Sequence, residues 1–378
     1  MKKLLILGAG IIQVPIIKKA KSMGYFTIVA DYSSEAPGLK YADKSYMVST
    51  IDKEAILLVA QKESIDGILT TSDYPVNVVA YVSRIMGLPA MSEEVANICT
   101  NKYLQREILK KNGIKTPFYK LCNSNEDLNK YKDFPYIVKP CDSSASRGVK
   151  KVNNHASMIE AFKEALNYSK SKNVLLESFI EGKEYSVETL TQKGKTTIIT
   201  ITEKFTKGEE FGFFVEDTHL EAARLSEIEK QMIETEVLKA IQVIGLDNCP
   251  SHTEVKLNYE GAFIIEMACR LGGDYITSDL VPLSTGVDML ENLIRLSVNE
   301  PIEVNHKFHK VSMIQFINQE NYNSCNSFIK ENKSSIIRYE IDPKHERPIK
   351  SSLDRMGYII LQLNDYQEFD HIMKQLNN

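Results

Sequence analysis

The sequence lacks several features that would each have indicated a class of protein. No window of the 378 residues holds about 18 uninterrupted apolar residues, so we expect no transmembrane helix. Basic and acidic residues nearly balance, and the net charge of -4 gives no general attraction to nucleic acid or to an anionic membrane. No CxxC pair occurs among the six scattered cysteines, which we interpret as reduced thiols of a cytoplasmic protein.

The N-terminus superficially resembles a signal peptide, because lysines precede an apolar run at residues 4–7. That run breaks at Gly8, Gln13 follows, and no small-residue cleavage site comes next, so a buried first strand is predicted. An apolar fraction of 43% and a charged fraction of 25% are typical of a soluble globular protein. The length predicts two or three domains.

Three regions follow from the order of the predicted elements. Residues 1–95 alternate apolar strands with amphipathic helices, which implies an α/β region with a parallel sheet. Residues 96–305 hold hairpin-like strands interrupted by helices, which implies α+β with antiparallel sheets, and a central subdomain is expected at about 115–185. Residues 306–378 alternate apolar strands with polar connections and are expected to form a small α+β module packed on the second region.

A glycine-rich turn follows the first predicted strand. Gly8-Ala9-Gly10 ends that strand and opens a helix, and Asp31 ends the next strand, roughly where a Rossmann unit carries its ribose-binding acid. Gln13 stands in place of the third glycine of that fingerprint. Because the same motif serves any tight strand-to-helix turn, an NAD(P) site and a structural or substrate-binding turn are both open.

Two glutamates are predicted to face each other across a hairpin. We assume a three-residue loop that ends at Gly261, so that Asn258 faces Ala262. Counting outward then places Glu254 opposite Glu266, with Cβ atoms about 5 Å apart. Two ionised carboxylates this close need a cation or a proton between them, and the apolar neighbouring positions argue against a solvent-exposed pair. Hard oxygen ligands completed by phosphate suit Mg²⁺, so a metal site is predicted.

A cation and two glycines come directly after this hairpin. Arg270 is followed by Gly272 and Gly273. Such a turn suits the delivery of backbone amides and a guanidinium to phosphate oxygens.

Taken together, these segments resemble the ATP-grasp superfamily over nearly the whole length of the chain. The resemblance implies a pre-ATP-grasp α/β domain at residues 1–95 and a nucleotide-binding region of two antiparallel-sheet subdomains at residues 96–305. It implies that residues 306–378 complete the ATP-grasp region. It identifies Glu254 and Glu266 with the metal-binding pair of the family.

The resemblance also implies which residues bind ATP. Lys139, in the strand at residues 137–140, corresponds to a lysine on the α- and β-phosphates, and Lys102 to an earlier lysine directed at phosphate. Lys139 and Arg270 are the implied catalytic residues, with Arg270 on the phosphates or the acyl phosphate. Residues 142–149 correspond to a flexible loop that closes over the phosphates, and the resemblance implies that Ser143, Ser144, Ser146 and Gly148 bind phosphate there. Residues 177–184 correspond to the strand that recognises adenosine. Glu177, Phe179 and Ile180 are implied to contact adenine, and Glu184 the ribose hydroxyls.

One position departs from the family pattern. Many members carry an asparagine two residues after the second metal-binding glutamate, and Ala268 stands there in this chain. Mg²⁺ is the expected ion, with Mn²⁺ as a substitute. The number of ions is left open by the departure.

The implied reaction has two steps. A substrate carboxylate attacks the γ-phosphate of Mg-ATP, and an amine then attacks the acyl phosphate, as in carboxylate–amine ligases that include L-amino-acid ligases. Residues 351–358 also resemble the biotin-carboxylase-like and purine-pathway branch. The expected partners are a small carboxylate and a small amine, and a homodimer is expected by analogy. Lys204, His219, Arg224 and Thr277 are expected near the substrate, and His252 on the face of Glu254.

Two other classes of protein are open. A nucleotide-dependent oxidoreductase built on the Gly-Ala-Gly turn would leave the facing glutamates Glu254 and Glu266 without a role. A non-catalytic or regulatory ATP-binding protein is the second, which the departure at Ala268 makes conceivable. It would bind ATP without releasing ADP under any mixture of carboxylate and amine.

Overall fold

The N-terminal part of the chain forms a parallel sheet that is covered on both faces. The structure is a computed structural model and describes residues 1–143, 146–209, 212–342 and 351–376. Leu4 and Leu5 of the first strand are buried on opposite faces, against different helices. The sheet has the order β3-β2-β1-β4. Its elements are β1 (Lys3–Leu7), α1 (Val14–Ser22), β2 (Phe26–Asp31), β3 (Lys44–Met47), α2 (Lys53–Glu63), β4 (Gly67–Thr70) and α3 (Val76–Met86).

Two helices, α4 (Glu93–Cys99) and α5 (Lys102–Lys111), lead from this sheet to the next. The Asn101 side chain accepts hydrogen bonds from the backbone amides of Tyr103 and Leu104 and so caps α5. This cap fixes Lys102 as the first residue of the helix, at the edge of the site described below.

A second sheet of four antiparallel strands follows, in the order β5-β8-β6-β7. One helix packs on it through a small apolar core that includes Phe162. The elements are β5 (Tyr119–Cys122), β6 (Tyr136–Pro140), β7 (Lys150–Val152), α6 (His155–Tyr168) and β8 (Val174–Ser178).

The third sheet has eight antiparallel strands, in the order β13-β12-β9-β10-β11-β14-β16-β15. The longest helix packed on it, α7, begins at a capping box formed by Ser226 and Glu229 and ends at Gly245. The elements are β9 (Lys183–Gln192), β10 (Lys195–Lys207), β11 (Val215–Glu221), α7 (Glu227–Ile244), β12 (Cys249–Asn258), β13 (Gly261–Ala268), α8 (Val281–Thr285), α9 (Met289–Ser297), β14 (Val311–Ile317), α10 (Tyr322–Asn332), β15 (Ile336–Ile341), β16 (Gly357–Leu363) and α11 (Tyr366–Leu376).

The predicted fold class, a parallel α/β sheet followed by antiparallel sheets, is confirmed. The three domain boundaries stay predictions. The C-terminal strands β14, β15 and β16 do not form a separate layer, because they extend the sheet that carries β9 to β13. Among the described residues, no helix has the length and apolar character needed to cross a membrane. All six cysteines are free and buried.

Candidate active site

One cavity of about 510 Å³ lies between the two antiparallel sheets, with the loop after β4 along one side. Gly148 is not part of its wall, whereas the adjacent Arg147 and Val149 are. Ser144 lies outside the described residues. The other residues expected to bind nucleotide or metal all line the cavity: Lys102, Lys139, Ser143, Ser146, Glu177, Phe179, Ile180, Glu184, Glu254, Glu266 and Arg270.

The hairpin of β12 and β13 places the two predicted metal ligands opposite each other. The assumed three-residue loop is wrong, because Asn258 pairs with Gly261 rather than with Ala262. A β-bulge then leaves Ile265 as an extra residue and shifts the register by one. The two differences cancel, so the pairing of Glu254 with Glu266 is confirmed.

Glu266 has a lysine of its own. The Lys102 ammonium lies 2.8 Å from Glu266 Oε1 and also donates to the Ser143 carbonyl at 2.8 Å. Burial lowers the pKa of Lys102, but Glu266 outweighs this effect and leaves the pKa above its ordinary value. Lys102 therefore stays charged and connects the metal-ligand strand to the start of the loop on the opposite sheet.

Glu254 is bound by Lys204 of β10. The Lys204 ammonium lies 2.7 Å from Glu254 Oε1, 3.1 Å from Glu184 Oε1 and 3.7 Å from Glu216 Oε1. Burial lowers the pKa of Lys204, but Glu254 and the two other carboxylates outweigh it and raise the pKa well above its usual range. Lys204, which the sequence places near the substrate, lines the cavity. Three carboxylates already surround its ammonium.

His252 shares the face of Glu254, as the alternation along the strand predicts. Its Nδ1 lies 2.5 Å from Glu188 Oε1, and its Nε2 lies 3.8 Å from Glu254 Oε1. Burial lowers the pKa of His252, but Glu188 and Glu254 outweigh it and raise the pKa to about 9. A Cβ at Gly272 would lie 2.8 Å from His252 Nδ1, so the turn after β13 requires glycine at this point.

Lys139 is held by a buried ion pair on the opposite sheet. Its ammonium lies 2.7 Å from Glu177 Oε2, and Arg106 Nε lies 2.7 Å from Glu177 Oε1. Burial lowers the pKa of Lys139, and Arg106 adds to this, while Glu177 raises it less than they lower it. Both oxygens of Glu177 are occupied by cations, so its carboxylate orients Lys139. A contact of Glu177 with adenine stays a prediction.

Arg270 is bound by an aspartate from the loop after β4. Its Nε donates to Asp73 Oδ1 at 2.5 Å, and its Nη1 donates to the Leu271 carbonyl at 2.7 Å. Burial raises the pKa of Asp73, but Arg270 outweighs it and leaves the pKa below its ordinary value. No sequence motif indicates Asp73, because it lies 197 positions from its partner.

Phe179 follows β8 directly and lines the cavity. The ammonium of Lys151 lies 3.8 Å from the centre of the Phe179 ring, and the Phe214 ring stacks on it with centroids 6.3 Å apart. An aromatic face with Ile180 beside it on the cavity wall suits a flat heterocycle. The predicted position of adenine therefore has an apolar surface.

A second polar region of the cavity is formed by strand β11 and the turn after β13. His219 is buried against Phe316, and its Nε2 lies 3.8 Å from Asp274 Oδ2. Arg355 Nη1 lies 2.9 Å from Asp274 Oδ2, and its Nη2 lies 3.0 Å from Glu216 Oε2. Burial raises the pKa of Asp274, but Arg355 and His219 outweigh it and hold the pKa well below its usual range.

Two of the residues expected near the substrate lie elsewhere. Arg224 Nη1 donates to Asp370 Oδ1 of α11 at 2.8 Å. Thr277 is buried and donates its hydroxyl to the Gly272 carbonyl at 2.6 Å. Neither residue lines the cavity. Their contacts hold other parts of the chain in place.

The Gly-Ala-Gly turn is closed by its own chain. Asp31 accepts hydrogen bonds from the backbone amides of Ala9 at 2.7 Å and Ser33 at 2.9 Å. The Gln13 side chain packs beneath the turn, where a Cβ at Gly10 would meet its Oε1 at 2.8 Å. Both oxygens of Asp31 hold the backbone, so the turn is structural here and offers no free acid to a ribose.

The comparisons with known proteins agree with this geometry. Residues 132–279 match the sequence profile of the ATP-grasp domain, and residues 4–102 match that of the PylC-like N-terminal domain. Residues 132–279 therefore belong to an ATP-grasp domain. ATP and Mg²⁺ are the cofactors that ATP-grasp enzymes use.

Curated relatives of this ATP-grasp chain resemble it over part of their length. It is 29% identical over 256 residues to the formate-dependent phosphoribosylglycinamide formyltransferase of Sulfurisphaera tokodaii, covering 65% of this chain and 63% of the relative. It is 26% identical over 312 residues to the alanine–anticapsin ligase of Bacillus subtilis, covering 76% and 65%. The chain thus spans less than two thirds of the first curated relatives it matches, with shares of 63%, 47% and 65%.

Solved structures share the fold over their whole length. The L-amino acid ligase of Bacillus licheniformis superimposes with a TM-score of 0.84 at 23% identity, covering 100% of this chain and 97% of the other. The phosphoribosylglycinamide synthetase of Anaerococcus prevotii gives a TM-score of 0.75 at 22% identity, covering 99% and 98%. At these identities the likeness shows the fold alone.

The residues of the cavity fit the cofactors of the superfamily. Glu254 and Glu266 offer carboxylate oxygens, the ligands that Mg²⁺ prefers. Lys102 and Lys139 point their ammonium groups at the same space, which suits phosphate oxygens.

Proposed function

We propose that this ATP-grasp chain is an ATP-dependent ligase that activates a carboxylate as an acyl phosphate and transfers the acyl group to an amine. The supporting observation is that one cavity combines a wall of three cations with a second region that carries carboxylates. Lys102, Lys139 and Arg270 form the first, beside the Glu254–Glu266 pair. Glu216 and Asp274 belong to the second, where the two carboxylates share the Arg355 guanidinium and suit an ammonium or amine group as a further partner.

The first step joins the carboxylate to the γ-phosphate of ATP, and ADP leaves. Lys139, fixed by Glu177, neutralises the negative charge that the phosphates bring into the cavity. Mg²⁺, which Glu254 and Glu266 would hold, would supply a further positive charge beside the phosphates. Arg270 exchanges Asp73 for the anionic acyl phosphate, since its guanidinium is the cation nearest the turn that follows the metal ligands.

The second step forms the amide. The amine nitrogen attacks the acyl carbon, its proton passes to a base, and inorganic phosphate leaves with the bonding electrons of the C–O bond. Released from Arg270, the carboxylate of Asp73 can accept a hydrogen bond from the attacking amine. Ser143 and Ser146 line the cavity from the loop above the phosphates, which shields the acyl phosphate from water.

An amino acid is the substrate class that this cavity favours. An amino acid carries an ammonium group near its reactive carboxylate, and the carboxylates of Glu216 and Asp274 provide acceptors for that ammonium. The likeness to the alanine–anticapsin ligase, which covers 76% of this chain, supports the same class. Formate is the second candidate carboxylate, because three of the first curated relatives are formate-dependent formyltransferases.

A phosphate-release screen tests the proposal. The protein is incubated with Mg-ATP and pairs drawn from amino acids, formate and primary amines, and phosphate and ADP are measured. We expect at least one pair to stimulate ADP formation more than tenfold, and the Glu266→Gln variant to lose that stimulation. Glu260→Gln, an exposed change in the adjacent turn, is the matched control and retains it.

Failure of the screen has a definite meaning. If ATP binds but no carboxylate and amine release ADP, the chain is the non-catalytic ATP-binding protein that the sequence left open. Full turnover by Glu266→Gln would equally contradict the assignment of the metal-binding pair.

A further inference from the structure

Lys204 has the surroundings of a fixed cation. Its ammonium lies within 4 Å of carboxylate oxygens from three strands, at 2.7 Å from Glu254, 3.1 Å from Glu184 and 3.7 Å from Glu216. An ammonium has three N–H donors, so three carboxylates can use all of them. The side chain is 3% exposed, which leaves it little room to reorient.

Lys102, the lysine of the other glutamate, is placed differently. It begins helix α5 and shares its donors between Glu266 and the Ser143 carbonyl, so phosphate can replace one of these partners. Lys204 lies inside strand β10, with Glu184 of β9 opposite it on one side and His219 of β11 on the other. The sheet therefore fixes Lys204 against Glu254 whether or not a ligand is bound.

The Glu254–Glu266 pair has few neighbouring groups that could bind a second metal ion. Ala268 lines the cavity two residues after Glu266 and contributes only a methyl group. In the described part of the chain, no group of three or more His, Cys, Asp or Glu side chains is arranged to hold a metal ion. Two divalent ions about 4 Å apart need shared or bridging carboxylates, and Glu254 is already neutralised by an ammonium.

We propose that Lys204 takes the place of one metal ion, so that the Glu254–Glu266 pair and the nucleotide together hold a single divalent ion. This inference rests on the proposed function through the binding of a metal–nucleotide complex. Lys204 is a positioning residue: it fixes Glu254 and provides next to it the positive charge that a second ion would bring.

Manganese binding tests the inference without requiring turnover. The wild-type protein is titrated with Mn²⁺ in the presence of saturating β,γ-imido-ATP, and free Mn²⁺ is followed by electron paramagnetic resonance. We expect one nucleotide-dependent Mn²⁺ per chain. Two ions per chain would overturn this inference and leave the ligase proposal standing. No nucleotide-dependent Mn²⁺ at all would overturn both.

Substitutions at Lys204 sharpen the test. Lys204→Met removes the ammonium and frees Glu254 and Glu184, so we expect the number of Mn²⁺ ions to rise from one to two. Lys204→Arg keeps the charge, and Lys183→Met removes a largely exposed lysine of the neighbouring strand, so both retain one ion. A single ion in folded Lys204→Met would contradict the role of Lys204. If that variant does not fold, the wild-type and Lys204→Arg stoichiometries still decide the question.

Discussion

At the scale of single residues, the charged groups of the cavity are held by partners of opposite sign. Lys139 is held by Glu177, Lys102 by Glu266 and Arg270 by Asp73. A substrate that binds these cations must therefore replace a carboxylate that already binds them. The lysines and glutamates could be identified from local motifs. Asp73 could not, because its only link to Arg270 is through space.

One buried carboxyl group is used by none of these pairs. Glu221 ends β11, it is fully buried, and its Oε2 accepts a hydrogen bond from the Thr202 hydroxyl. Burial raises the pKa of Glu221 from 4.5 to about 7, and hydrogen bonds from Thr200 and Thr202 offset this only in part. The folded chain therefore keeps a proton on Glu221 that the unfolded chain releases at a lower pH.

Stability should accordingly depend on this proton. The contribution of protonated Glu221 is complete below about pH 4.5 and is lost as the pH rises through about 7, a change of about 3 kcal/mol. Glu221→Gln imitates the protonated acid. We therefore expect the free energy of unfolding to decrease less between pH 5 and pH 8 in this variant than in the wild type. Urea denaturation at both pH values measures this. An equal pH dependence in the two proteins would show that Glu221 does not titrate in this range.

At the scale of elements, the site depends on one strand and one β-bulge that local sequence patterns do not predict. Strand β11 was not predicted, because Asp217, His219 and Glu221 make its sequence resemble a polar loop. These side chains are nevertheless buried and have partners within the fold, Gln315 for Asp217, Asp274 for His219 and Thr202 for Glu221. The bulge at Ile265 was also missed. It places the Ile265 carbonyl where the Arg106 guanidinium donates to it.

The two glycines after β13 should differ in importance. A Cβ at Gly272 would lie 2.8 Å from His252 Nδ1 and 2.9 Å from Glu188 Oε2, whereas a Cβ at Gly273 meets nothing within 4 Å. We expect Gly272→Ala to lower the free energy of unfolding by about 2 kcal/mol, because the buried pair cannot move aside. Gly273→Ala is the control and should change it by less than about 0.5 kcal/mol. Urea midpoints of the two variants provide the comparison, and equal midpoints would contradict the packing argument.

At the scale of the whole molecule, cores cross the predicted boundaries. Leu4 and Ile6 of the N-terminal sheet belong to the same apolar cluster as Leu293 of α9 and Ile360 of β16. The eight-stranded sheet likewise joins β11, before residue 305, to β14, after it. The three regions therefore support one another, although each has a distinct sequence pattern.

Removing the C-terminal region should for this reason prevent folding. A chain that ends at residue 305 loses β14, β15 and β16 and exposes the edge of β11, including buried Leu220. We expect this chain to be insoluble, and calorimetry of the full chain to show one cooperative transition. A soluble product of residues 1–305 with a cooperative unfolding transition would show instead that the C-terminal region is an independent module.

The sequence by itself determined the fold class and identified, among the residues expected to bind nucleotide or metal, eleven that line the cavity. It could do so because periodicity, caps and short motifs are local properties of the chain. Only the tertiary structure decided which partner each charge has, that Asp31 closes its own turn, and that Lys204 lies among three carboxylates. Those contacts join distant segments, and their geometry depends on how whole sheets pack. The Glu254–Glu266 pair is the one feature to which both contributed, since the pattern indicated the glutamates and the bulge set the register that makes them meet.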